Sequence, residues 1–281
     1  MTTWRISDRT LEFGPPLAAG IVNVTDDSFF AGARSGTPEG AAADGLALVE
    51  AGFDLLDVGA VAARSGPPVS AEDEAGRLVP AIERLVAEAG VPVFADTFSP
   101  RVAARALDAG AAAINDIGGG EPEMLELVAE RDCGYVLMHI EGPPRIDRPA
   151  PEYGDVVARL KDWFAERIER ASALGIEPER IALDPGLDFD LSTDDDLEIL
   201  RRLGELRELG RPLFVALSRK DFLGAVAAGS WDERLAATER GPATLAATAL
   251  AVAQGAEILR LHDVEALDAL RTAAAIAVPA R

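Results

Sequence analysis

Polar and charged residues close the short apolar runs of this 281-residue chain. Asn23 and Thr25 end the run 19–25, Asp57 lies in 53–60, Asp96 and Thr97 end 91–97, and Asn115 and Asp116 lie in 112–117. The later runs end in His139, in Asp184, in Ser218-Arg219-Lys220, and in Arg260 with His262. A carboxylate at the end of an apolar strand needs a hydrogen-bond partner, a counter-ion or a ligand. Capping of the next helix explains one such residue equally well. It does not explain their recurrence at eight run ends. Lysine occurs only as Lys161 and Lys220, and histidine only as His139 and His262, so three of these four scarce residues fall at run ends. The cations Arg64, Arg219, Lys220, Arg260 and His262 admit two readings. They attract an anion, most simply a phosphate or pyrophosphate, because near fields outweigh distant screened charge. Alternatively, they only neutralise Asp57, Asp96, Asp116 and Asp184.

The elements that carry these residues are legible. The runs are continuous rather than alternating, as expected of strands buried on both faces. Helical patterns separate them at 40–51, 71–89, 100–109, 122–131, 153–174, 194–209, 233–254 and 264–277. Gly110, Gly175, Gly210 and Gly255 follow helical runs, where a left-handed terminal residue is favoured. Eight strands alternating with helices imply an α/β fold, a closed parallel (β/α)8 or TIM barrel. A doubly wound open sheet is the competitor. In a barrel the strand ends share one face, where ligands bind. The expected organisation is one barrel domain over 19–281 behind an N-terminal extension of residues 1–18.

Composition narrows the partners. The chain has 27 Lys+Arg against 48 Asp+Glu, a net charge of −21, and 48% hydrophobic residues. That excludes a disordered chain and argues against binding nucleic acid or anionic membranes. Cys133, the single cysteine, cannot form an intramolecular disulfide, which fits a reducing compartment. Residues 1–16 lack a signal-like apolar run, and no apolar stretch reaches the roughly 18 residues of a membrane span. A soluble, cytoplasmic protein is expected. Zinc-site spacings and the GxSxG elbow are absent from the sequence. Gly118-Gly119-Gly120 could bring backbone N–H groups near a ligand, but does not fit GxGxxG.

Taken together, the motifs resemble a family. Asn23-Val24-Thr25-Asp26-Asp27-Ser28-Phe29 resembles the NVTPDSF signature of the dihydropteroate synthases. Asp96-Thr97, Asn115-Asp116, Asp184-Pro185-Gly186, Ser218-Arg219-Lys220 and Arg260-Leu261-His262-Asp263 resemble its later motifs, in order, over residues 19–264. The resemblance implies joining of 6-hydroxymethyl-dihydropterin pyrophosphate to p-aminobenzoate on a TIM barrel, commonly dimeric, with Mg2+ bound beside pyrophosphate. It assigns Asp184 to the two-donor edge of the pterin, Asn115 and Asp96 to further ring contacts, and Lys220 to ring acceptors. Asn23, Arg260 and His262 would hold the pyrophosphate, with Asn23 also near Mg2+. Asp27 would lie in a first loop that closes over the leaving group. Arg64, Phe189 and Ser218 would meet the second substrate. The same residues suit a synthase-like pterin binder that lacks this activity or uses another acceptor.

The departures fall on the second-substrate loops. Where the family reads ESTRPG, this chain has Val61-Ala62-Ala63-Arg64-Ser65-Gly66. Where it reads GFGK, this chain has Asp188-Phe189-Asp190-Leu191. Loop one carries Asp26 in place of Pro, with Phe30 and Ala31 further on. Two added carboxylates and a lost lysine are expected to make the mouth less favourable for anionic p-aminobenzoate.

Overall fold

A computed structural model describes residues 2–24, 36–64, 66–146 and 148–277. Thr25, Asp27 and the rest of the first loop, with Ser65, lie outside the described residues. Strands β1 (Thr3–Ile6) and β2 (Arg9–Glu12) form an antiparallel hairpin. The barrel strands are β3 (Leu17–Asn23), β4 (Leu55–Gly59), β5 (Val93–Asp96), β6 (Ala113–Asp116), β7 (Gly134–Met138), β8 (Ile181–Asp184), β9 (Phe214–Ala216) and β10 (Ile258–Leu261). Their order is β8-β7-β6-β5-β4-β3-β10-β9, all parallel. A parallel bridge from Leu183 to Leu213 closes the ring, so the barrel holds and the open sheet does not.

The helices are α1 (Pro38–Glu50), α2 (Ala71–Glu88), α3 (Pro100–Asp108), α4 (Pro122–Glu130), α5 (Val156–Ala173), α6 (Thr193–Arg201), α7 (Asp221–Ala228), α8 (Gly241–Ala253) and α9 (Val264–Ala277). Two expectations need correction. The helix expected at 194–209 stops at Arg201 and continues as a 3-10 turn over Leu203–Leu209. The helix expected at 233–254 begins only at Gly241, where Pro242 supplies a preset φ near the helix start. Its missing partner is α7, directly after β9. That segment is Ala-rich and almost evenly apolar, so it shows no helical periodicity, and Gly229 ends it with φ 73.

Inside the ring, side chains stack in two layers. Ala19, Leu55, Phe94, Ala113, Val136, Ala182, Phe214 and Ile258 form a buried apolar floor. Trp4 and Ile6 of the hairpin, with Phe13 just after it, seal this floor. Trp4 meets Phe94 edge-on at 5.3 Å, and its indole N–H donates to the Arg180 carbonyl at 2.7 Å. Strand alternation then sends the residue two positions on into the same lumen. Leu55 is therefore followed by Asp57, Phe94 by Asp96, Ala113 by Asn115, Ala182 by Asp184 and Ile258 by Arg260. A dry floor carries a polar ceiling at the carboxyl ends of the strands.

Candidate active site

Register brings the ceiling together. Asn23 pairs with Gly59, Gly59 with Asp96, and Asp96 with Asn115 on neighbouring strands. Arg260 registers with Ala19 on one side and Ala216 on the other, and these small neighbours leave lumen free for a long side chain. Its Nε donates to Asp57 and its Nη2 to Asp96 at 2.6 Å. Asn115 Nδ2 donates to the same Asp57 oxygen at 2.9 Å. Asp57 is fully buried. Among the described residues, the other Asp57 oxygen and Asn115 Oδ1 are buried without a partner. Two orphaned acceptors side by side, near the Asp184 carboxylate, suit a flat ligand rich in N–H donors.

The site's electrostatics follow from burial. Asp184 is 2% exposed, and burial lifts its pKa to about 6 against the pull of Lys220 and of the Gly186 N–H, which donates to it at 2.9 Å. Burial raises Asp96 to about 7, with Arg260 opposing and Asp57 adding repulsion. Burial, then Asp188 and Asp184 in the opposite sense, set Lys220, whose pKa is lowered overall. Its Nζ donates to the Leu187 carbonyl at 2.8 Å and lies 4.4 Å from the Phe189 ring centroid. His262 Nδ1 lies 3.0 Å from Ser218 Oγ. Burial and the fields of Arg260 and Arg219 push the imidazole down to about 3. His262 is thus expected to stay neutral between pH 5 and 8 in the free protein. A ring-proton NMR titration, assigned by loss of the signal in His262→Gln, checks this. A midpoint near 6.5 would contradict the burial described.

Neighbouring strand-end residues face outward. Asp116 accepts from Gly118 N at 2.8 Å, Gly120 N at 3.0 Å and Tyr135 Oη at 2.6 Å. Two of the three glycine amides therefore serve this carboxylate, which corrects the ligand reading of that run. Thr97 donates to the buried Glu74 of α2 at 2.5 Å. Arg219 grips Asp263 at 2.6 Å and the Ala237 carbonyl at 3.0 Å, with its charge within reach of His262. His139 is a core residue, fully buried, with its ring 5.0 Å from that of Trp163. Gly186, two residues after Asp184, has φ 71, and a Cβ there would sit 2.0 Å from the His139 carbonyl oxygen. Gly186→Ala is expected to cost roughly 3 kcal/mol or more, read as a fall in Tm or as insoluble expression. An unchanged Tm would contradict the close approach.

The second-substrate residues are partly engaged. Phe189 is buried with Ile117, Met138 and Ile140, and Ala63 and Phe98 pack against the cluster. Arg64 Nη1 reaches Asp221 at 2.8 Å and Asp188 at 3.4 Å. Asp190 turns away, pairing with Arg148 at 2.7 Å and accepting from Glu141 N at 3.2 Å. It does not face the mouth as a free charge, contrary to the expectation. Asp57 was not singled out as a site residue from sequence. Its signal was a carboxylate two positions after a floor residue within an apolar run.

Comparison with known proteins bears on this geometry. A family model described as pterin binding enzyme matches residues 19–262. A dihydropteroate synthase of Synechocystis is 37% identical over 251 residues, covering 88% of this chain and 85% of that protein. The Xanthomonas albilineans dihydropteroate synthase solved with 7,8-dihydropteroate superposes with a TM-score of 0.84 at 39% identity, covering 99% of this chain and 100% of that one. The same enzyme solved with 4-aminobenzoic acid gives 0.88 at 42% identity, with the same coverage.

Proposed function

The chain belongs to the pterin-binding enzyme family, and on that footing we propose that it acts as a dihydropteroate synthase in folate biosynthesis. It condenses 6-hydroxymethyl-dihydropterin pyrophosphate with p-aminobenzoate, giving dihydropteroate and pyrophosphate. The observation that carries the reading is the convergence of Asp57, Asp96, Asn115, Asp184 and Arg260, from five strands, on one lumen above a sealed apolar floor.

Asp184 accepts from the 2-amino group and adjacent ring N–H of the pterin, a pair of charge-assisted bonds. Asn115 and Asp96 accept from further ring donors, and Lys220 donates to ring acceptors. Breaking the methylene–oxygen bond places positive charge on the pterin and negative charge on the departing diphosphate. Asp57 and Asp96 stabilise the first, while Arg260, His262 and Asn23 donate to the second. The arylamine nitrogen then attacks the methylene carbon, and its surplus proton leaves to solvent. Asp27 of the first loop is assigned to closure over the leaving group. Arg64, Phe189 and Ser218 are assigned to the amine.

Magnesium fits as an ion that arrives with the diphosphate. The described residues contain no group of three His, Cys, Asp or Glu side chains able to hold a metal, and Asn23 offers one amide oxygen. Mg2+ characteristically takes most of its ligands from substrate phosphates and water, so one protein oxygen suffices. When bound, it would neutralise developing charge on the leaving group. No helix among the described residues is long and apolar enough to cross a membrane. The reading includes a cytoplasmic homodimer that binds small molecules rather than nucleic acid. Light scattering at twice the 29.5 kDa chain mass would support the dimer.

The test supplies purified protein with the pterin pyrophosphate, Mg2+ and p-aminobenzoate, and follows both products. Stoichiometric dihydropteroate and pyrophosphate support the proposal. Pyrophosphate release without dihydropteroate moves the assignment to a pterin-binding enzyme with another acceptor. That second reading draws on the altered amine loops.

A further inference from the structure

Ser218 and Lys220, which follow β9, sit on either side of a strained backbone position. Arg219 has φ 57, the left-handed region that a non-glycine residue keeps only where its surroundings fix it. Here they fix it twice. The Arg219 N–H donates to Thr244 Oγ1 at 3.0 Å, and the Arg219 carbonyl accepts from Arg240 Nη1 at 2.8 Å. Thr244 lies in the first turn of α8 and Arg240 immediately before that helix. The Thr244 N–H donates to the Arg240 carbonyl at 2.9 Å, so the two holders keep a fixed spacing.

Arg240 is built into its place. It is buried, its Nε donates to the Leu235 carbonyl at 2.7 Å, and its Nη1 pairs with Asp221 at 2.6 Å. Helix α7 leaves room for it, since a Cβ on Gly224 would sit 2.6 Å from Arg240 Nε. A guanidinium spreads its donors over several directions, which a compact ammonium does not match. The kink that Arg240 and Thr244 hold sets where its neighbours point. Ser218 Oγ lies 3.0 Å from His262 Nδ1, and Lys220 Nζ donates to the Leu187 carbonyl at 2.8 Å. Burial raises Asp184 to about 6. Lys220 opposes that rise more than the Gly186 N–H or Arg260 does, and Asp57 adds to it.

We propose that Arg240, together with Thr244, is a positioning residue for the pterin site. By gripping the Arg219 backbone it fixes the direction of Lys220 toward Asp184 and of Ser218 toward His262. The inference rests on the pterin-site assignment above and extends it to residues that act through the backbone.

The experiment measures binding of 6-hydroxymethyl-dihydropterin, the alcohol without diphosphate, by calorimetry across pH, with Tm recorded alongside. Thr244→Val keeps the shape, removes the acceptor for the Arg219 N–H and leaves the Arg240–Asp221 pair in place. Arg240→Lys keeps the charge and loses the fork. Each is expected to weaken pterin affinity about tenfold at neutral pH. Each should also raise the midpoint of its acid loss above the wild-type value of about 6, because Lys220 then stands farther from Asp184. Thr244→Ser, which restores the hydroxyl, should return both to wild type. A purely structural role would lower Tm and leave the midpoint in place. An unchanged midpoint in Thr244→Val, with wild-type protein binding the pterin, overturns the inference alone. So does a Thr244→Ser protein that behaves like Thr244→Val. Unfolding of both Thr244→Val and Arg240→Lys assigns these residues to stability alone and overturns it as well. Wild-type protein that does not bind the pterin overturns the pterin-site assignment and this inference together.

Discussion

Asp184→Asn is expected to weaken pterin binding about a hundredfold or more while leaving the barrel folded. The wild-type carboxylate presents two acceptors to a two-donor edge. The asparagine can still accept from Gly186 N, but its NH2 then confronts a donor. Charge-assisted hydrogen bonds contribute about 1.5–3 kcal/mol each, so the loss is at least about 3 kcal/mol, roughly a hundredfold in Kd. Stability moves the other way. Burial raises Asp184 from 3.8 to about 6. Between those values the native state holds more protons than the unfolded chain, so this group's contribution is fully present below 3.8 and lost as pH rises through 6. At pH 7.5 the ionised carboxylate therefore opposes folding by about 3 kcal/mol, an order-of-magnitude figure, and removing it should leave Tm no lower than wild type. The same titration governs binding. Affinity for a pterin alcohol without diphosphate should fall about tenfold per pH unit below about 6, and the mutant should lose that dependence. Calorimetry across pH and a melting curve check both. Wild-type affinity in the mutant would remove Asp184 from the pterin site.

Arg260→Met should damage fold and turnover together. Arg260 bridges Asp57 and Asp96, which lie 203 and 164 positions away in the chain. Removing a partner from a buried ion pair costs about 3–5 kcal/mol, because the remaining charge is desolvated and unpaired. Asp96 already sits near 7 with Arg260 opposing that rise, so its pKa should climb further and leave it protonated at neutral pH. Loss of a donor to the departing diphosphate should lower kcat by about a hundredfold to a thousandfold. Arg260→Lys separates the two effects. An ammonium retains charge but cannot reproduce the planar fork. It should recover part of the Tm while kcat stays at least about tenfold low. Full activity in the lysine variant would show that charge alone suffices and would contradict the role given to the bridge.

The barrel and most of the ceiling were legible because strand ends collect polar residues. Adjacent strand-end residues were harder to separate. Asn115 faces the lumen and Asp116 the helices; Ser218 neighbours His262, whereas Arg219 clamps Asp263. Alternation from the floor residue decides each case, but strands buried on both faces hide that alternation in composition. Asp57 is visible in the sequence as a strand-end carboxylate, but its place beneath Arg260 and Asn115 is not. Helix α7 was missed because its Ala-rich, apolar sequence has no polar face. The added charge of Asp188 is visible in the sequence, but its backbone conformation and its bonds to the start of α7 need coordinates. A pattern of residue types does not carry φ.

The most direct measurement is a crystal structure of the protein soaked with 6-hydroxymethyl-pterin pyrophosphate. The account requires the pterin edge within hydrogen-bond distance of Asp184 and Asn115, with the diphosphate beside Arg260, His262 and Asn23. A pterin bound elsewhere, or a diphosphate facing away from Arg260 and His262, would contradict it.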